Sequence, residues 1–173
     1  LWQSYEDKEK MKKHRRIANR MYKSVSAYVN GQLLIALVSG VGGAITVVIL
    51  SLFFAEVPSN LAIPVGVILS IIGLVPMFGA TIAGIIAALI IGFNVPFAGI
   101  VFGIYFIIYQ QIENNIISPM IQAKTNQLSA LLVIVAITIG IYAFGILGAL
   151  ISIPAAACAK ILFEEYISKS RPK

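Results

Sequence analysis

Apolar residues run along this chain in long continuous blocks rather than at alternating positions, and charged side chains mark the block ends. Residues 24–55, 57–112 and 125–159 carry no charge at all. A helix of roughly 20 apolar residues crosses a hydrocarbon core of about 30 Å, so each block is long enough to do so. In lipid every backbone N–H and C=O must be paired within the protein, which leaves helices or a closed barrel. Barrel strands alternate with period two; these blocks do not. The fold class expected is therefore all-α: a polytopic helical membrane protein with glycine- and proline-broken helices that either span or re-enter, preceded by a basic amphipathic helix.

The pattern divides the chain further. In residues 5–30 Glu6, Asp7 and Glu9 come first and eight Lys or Arg follow by Lys23, an order that suits the helix dipole. Ala18, Met21, Val25 and Tyr28 recur at spacings of three and four, which predicts an amphipathic helix. Its basic face either lies on the anionic cytoplasmic leaflet or acts only as the charge that sets topology. A first span follows over 31–55, with Ser39, Gly40, Gly42, Gly43 and Ala44 forming a small-residue patch for close helix approach. Glu56, Pro58, Ser59 and Asn60 mark a turn.

Residues 61–93 would make a straight helix of about 50 Å, too long for an untilted crossing. Pro76 and Gly79 predict two short helices around a break at 75–80. Residues 95–118 read as one span closed by Pro119. Residues 128–163 are again too long and carry Gly145, Gly148 and Pro154 as a second interruption. The expected organisation is a cytoplasmic basic helix over 1–30, a transmembrane domain over 31–165 and a basic tail over 166–173. If the two broken regions each cross once, Lys124 lies outside; if each is a hairpin, Lys124 lies inside, and the bias of positive charge prefers the second. Both versions keep the two ends of this sequence cytoplasmic. Its start at Leu1 rather than Met suggests a piece of a longer protein.

Composition sharpens this picture: 59% of residues are hydrophobic and only 12% charged, against about 25% charged in soluble domains. A lone Cys158 permits no internal disulfide, and no zinc-ligand spacing exists. Neither paired membrane carboxylates nor GxSxG nor HExxH occurs, so no enzyme is expected, and no metal or other cofactor. The basic run beside a span is accounted for by topology, so nucleic acid is not an expected partner. His14 belongs to the same charged face.

The main concentration of candidate chemistry is "YQQIENNIISPM", residues 109–120. At about 100° per residue, Gln110, Gln111, Asn114, Asn115 and Ser118 share an arc of about 140°, and Glu113 lies about 60° beyond its edge. An intramembrane carboxylate is costly enough to mark function by default. Glu113 is a candidate for holding sodium or a proton, and the amides for hydrogen-bonding a polyhydroxylated solute. The rival reading is an interfacial or packing feature, since Glu113 stands only six residues before Pro119, within about 9 Å of the expected helix end. Tyr105 and Tyr109 fall on the opposite side of the wheel and read as belt or packing residues. The breaks at Pro76, Gly79, Pro119, Gly145, Gly148 and Pro154 are candidate hinges or sources of free helix termini.

Four stretches resemble a known family. "FGILGALISIPAAACAKIL" (144–162) is similar to the terminal signature of the autoinducer-2 exporter (AI-2E) family of bacterial membrane transporters. "YVNGQLLIALVSGVGGAI", "GLVPMFGATIAGIIAALI" and "IENNIISPMIQAK" resemble its glycine-rich helix, its P-x-x-G break and its N-N-x-x-x-P segment. The order is the family's, and the likeness places this chain in the C-terminal portion of a member. The chain departs where members have a Leu-His-Pro entry (Leu128, Ser129 and Ala130 here) and a second proline (Ala80 here). The resemblance implies a multi-pass transporter of the bacterial inner membrane that exports a small polar solute such as autoinducer-2, coupled or not to sodium or protons. Other members are credited with sodium-proton antiport. The expected partners are the lipid bilayer, the solute, a cation and further copies of the chain. The rival from another class is an oligomeric scaffold without transport.

Overall fold

Proline sets the boundary between the two helices that pack closest. Val95, the residue before Pro96, is held extended at φ −138°, ψ 105°, the region that a following proline ring leaves open. Pro96 opens the next helix, where its missing N–H leaves no intrahelical bond unmade. The computed structural model describes residues 2–76, 78–122 and 128–170. Its elements are α1 (Trp2–Phe53), a 3-10 turn (Ser59–Leu61), α2 (Ala62–Ile72), α3 (Gly79–Asn94), α4 (Pro96–Ile112), a π-helical turn (Glu113–Ile117), α5 (Ser118–Gln122) and α6 (Ala130–Ser170). Among the described residues there is no strand, and the fold is all-α. Two compact units are formed, residues 30–124 and residues 1–29 with 125–173. Lys124, which the topology argument used, lies outside the described residues.

In the unit of residues 30–124, α2 and α3 are the two short helices expected for the long apolar region. At 11 and 16 residues and about 1.5 Å per residue they measure roughly 16 and 24 Å, short of a hydrocarbon core. The interruption falls at 73–78, two residues earlier than expected. Pro76 disfavours helix in its predecessor as well, and the chain tightens before reaching it: Leu74 N–H donates to Ile71 O and Val75 N–H to Ile72 O. The freed end is capped from α1, where Gln32 Nε2 donates to Gly73 O at 3.1 Å.

Small residues bring these helices together. Gly40 of α1 lies against Ser70 and Gly66 of α2, and Gly43 against Leu69. Gly99 of α4 lies against Gly92 and Ala88 of α3, and Gly84 of α3 receives the ring of Phe106. Lipid tails are as apolar as leucine, so association rests on this close dispersion packing rather than on escape from water. Val47, Leu69, Ile91 and Phe102 are completely enclosed. The outer faces are apolar too: Leu52, Phe53 and Phe93 are each more than three-quarters exposed, an arrangement that suits lipid rather than water.

In the other unit, α6 is a hairpin. Phe144 (φ −139°, ψ 15°) and Gly145 (φ 62°, ψ −142°) leave the helical region. In an unbroken helix residues 140 and 152 would stand about 18 Å apart, yet a Cβ on Gly140 would lie 2.9 Å from Ser152 Cβ. Gly140 also abuts the carbonyl of Gly148. Gly148 and Pro154 stay within the second, helical arm, so the turn itself is made at Phe144–Gly145. The arms flank a groove of about 690 Å³ lined by small residues including Ala136, Ala143, Ala155 and Ala159. Farther along, Glu165 pairs with Lys13 at 2.8 Å and Glu164 with Arg20 at 3.2 Å.

Candidate functional site

The polar cluster of residues 110–115 is divided by the structure into three parts. Its backbone leaves α-helical hydrogen bonding at Glu113, and Ser118 N–H donates to Glu113 O, five residues back. A widened π turn of this kind re-aims the side chains around it and recurs at functional sites. Glu113 turns inward and is 5% exposed. Its carboxyl faces the hydroxyls of Tyr109, one turn earlier on α4, and Ser39 on α1. Ser39 Oγ, Tyr109 Oη and Glu113 Oε2 are all buried, and none has a hydrogen-bond partner among the described residues. Buried polar groups cost about 1–3 kcal/mol each when left unpaired, and in this apolar unit the three have chiefly one another to face.

The second part is Gln110, half-buried, whose Nε2 donates to Thr81 Oγ1 of α3 at 2.9 Å. The third faces outward: Asn114, Asn115 and Gln111 are exposed. Asn115 Nδ2 donates to Gln111 O at 2.7 Å and stands 3.4 Å from Gln111 Oε1.

The small-residue patch of α1 makes the inward site possible. A Cβ on Gly42 would lie 3.4 Å from the Tyr105 hydroxyl and 3.7 Å from the Tyr109 ring, so the helix surface there is a seat for two tyrosines. Tyr105 and Tyr109 stack at 6.1 Å, continuing a run with Phe102 and Phe106. Tyr109 and Ser39 are the members that sequence reasoning missed as site residues. The signal for Tyr109 was its spacing of four from Glu113, which puts both on one helix face. Ser39 offered no signal beyond its membership of the small patch.

The helix-break candidates are dispersed. Pro76 and Gly79 flank the α2–α3 gap, with Gly79 pressed against the carbonyl of Ile72. Pro119 lies within α5, and Gly145, Gly148 and Pro154 belong to α6. Among the described residues no three of His, Cys, Asp and Glu gather as metal ligands do.

Residues 4–168 match the family described as AI-2E family transporter. The chain belongs to this family. Among its relatives, "Putative transport protein YrrI" of Bacillus subtilis (strain 168) is 28% identical over 145 residues, 83% of this chain and 39% of that protein. "Putative transport protein YueF" of the same organism is 32% identical over 142 residues, 81% of this chain and 36% of its own length. "Putative transport protein MT0215" of Mycobacterium tuberculosis (strain CDC 1551 / Oshkosh) is 28% identical over 140 residues, 79% of this chain and 35% of that protein. The chain thus spans between a third and two-fifths of the length of the curated relatives it matches. No solved structure matches it. Family and apolar helices together make this AI-2E chain a membrane protein.

Proposed function

We propose that this chain forms part of a transporter that carries a small polar solute across the bacterial inner membrane, with both ends of the sequence on the cytoplasmic side. The observation that supports this reading is the buried set Ser39, Tyr109 and Glu113, polar and unpartnered inside an apolar helical unit. Its depth agrees. Ser39 lies 14 residues before the end of α1 at Phe53, about 21 Å along the axis. That is less than the roughly 30 Å of hydrocarbon, so a bilayer face at the level of Phe53 leaves Ser39 and the facing carboxyl inside the slab. Within the same unit the broken pair α2 and α3 supplies short helices and free helix ends, the kind of element from which transporter sites are built.

Within this reading the outward amides of Gln111, Asn114 and Asn115 contact a hydroxyl-rich solute of the autoinducer-2 kind, and Glu113 serves the coupling cation. The intact protein in proteoliposomes, supplied with labelled solute, tests the proposal. Uptake above that of protein-free vesicles is expected, and N114L/N115L lowers it about tenfold, equivalent to about 1.4 kcal/mol in the barrier. Uptake equal to that of protein-free vesicles refutes transport and leaves the oligomeric-scaffold reading.

A further inference from the structure

We infer that Glu113, with the hydroxyls of Tyr109 and Ser39, is a proton-binding site inside the membrane unit, so that the ion exchanged by this chain is H⁺. The inference rests on the transport reading for its role but on geometry for its chemistry. Glu113 is 5% exposed and Ser39 3%, and the oxygens Glu113 Oε2, Tyr109 Oη and Ser39 Oγ are enclosed together without partners. The polar and titratable groups facing the carboxyl are Tyr109 of α4, with Tyr105 beside it, and Ser39 of α1. None of these groups is cationic. The other described charged side chain of residues 30–124 is Glu56, beyond the opposite end of α1.

A carboxylate so placed lacks the counter-charge that a buried ion requires. Protonation resolves this with the atoms present. One O–H bond forms on a carboxyl oxygen, the net charge disappears, and the new hydroxyl donates to Tyr109 Oη or Ser39 Oγ. Hard metal cations such as calcium take about six or more oxygens, and these three side chains offer four. Release needs only that water reach the carboxyl, which then gives its proton to that water, forming hydronium, and is left as the anion. The π turn at Glu113–Ile117 is the element to open for that water, since its hydrogen bonds are already displaced from the α-helical ladder. Tyr109 and Ser39 are positioning residues: they hold the carboxyl and set the pH at which it fills.

The test is infrared difference spectroscopy of the intact protein in lipid over a pH series, with a parallel measurement of solute flux under an imposed pH gradient. A protonated-carboxyl C=O band is expected in the wild type, lost as pH rises, absent in E113Q and displaced in frequency in E113D. Y109F and S39A shift the pH at which half the band remains. Stimulation of flux by the pH gradient falls to onefold in E113Q. No E113Q-sensitive band at any pH overturns the inference, as does a gradient response in E113Q equal to the wild type, or a response to sodium alone. A titrating band without any solute flux upholds the proton site and refutes the transport reading, so the two failures are distinguishable. E113D keeps the test readable if E113Q does not fold.

Discussion

Replacing Gly99 with alanine adds one methyl group where the backbones of α3 and α4 cross closely. Its Cβ would lie 2.6 Å from Gly92 Cα, 2.7 Å from Ala88 O and 2.8 Å from Gly92 N. All three neighbours are backbone, so no side chain can swing aside. Restoring an ordinary contact of 3.4 Å requires the helices to part by about 0.8 Å, and a gap of 0.5–1 Å forfeits about a quarter to a half of each dispersion contact across it. Overpacking of this kind costs about 1–3 kcal/mol, while the gain in helix propensity from glycine to alanine returns about 0.5–1 kcal/mol. The net expectation is a loss of about 1–2 kcal/mol for G99A. Gly92 stands at the same crossing but is not equivalent: its Cβ would lie 3.7 Å from Gly99 Cα, an ordinary contact. G92A should therefore be neutral or slightly stabilising, as should G103A, whose Cβ meets Ala88 Cβ only at 4.0 Å. Reversible unfolding of the three variants in mixed micelles, by far-ultraviolet circular dichroism, gives the ordering. Equal stability of G99A and G92A within about 0.3 kcal/mol would refute the packing argument.

Other outcomes follow from single contacts. Gly145 combines φ 62° with ψ −142°, a region held almost entirely by glycine, so G145A should lose about 1–3 kcal/mol. G145N should lose as much, because asparagine relieves only the left-handed helical region; recovery of stability by asparagine in the same melts would argue against the observed turn. A double-mutant cycle on Gln110 and Thr81, joined at 2.9 Å, should return a coupling of about 0.5–1.5 kcal/mol, and zero coupling would show the bond is not formed in lipid. K13A and R20A break surface pairs with Glu165 and Glu164 and should each lower stability only slightly in the same melts, an effect that fades as salt is raised; a loss that persists at high salt would argue against a surface pair.

Much of this molecule was readable along the chain because lipid imposes severe rules. Continuous uncharged blocks had to be helices, since no other open structure pairs its backbone in hydrocarbon. Pro76 and Pro96 had to end or begin helices, since neither can donate a ladder hydrogen bond. The glycine-rich patch of α1 had to face another helix, because without side chains it offers lipid little to hold. What it would face was not legible. Ser39 and Glu113 are 74 positions apart in sequence, and only the folding of α4 back onto α1 sets them together.

The polar cluster shows the division most clearly. A helical wheel assumes one fixed angle per residue, so it groups Gln110, Gln111, Asn114 and Asn115 on one face and leaves Glu113 beside them as a neighbour of lesser depth. On that wheel the acid stands nearer to Tyr109 than to the amides, and it is buried while Asn114 and Asn115 stay exposed; that the tyrosine face is the inward one came only with α1 packed against it. Similarly, Gly145, Gly148 and Pro154 are each compatible with a bend, and backbone dihedrals alone show that the chain reverses at the first of them. Sequence by itself determined the solvent, the all-helical class and the family, because those depend on composition, local hydrogen bonding and motif order. Tertiary structure decided which polar atoms are buried together, because that depends on which distant helix a given face meets.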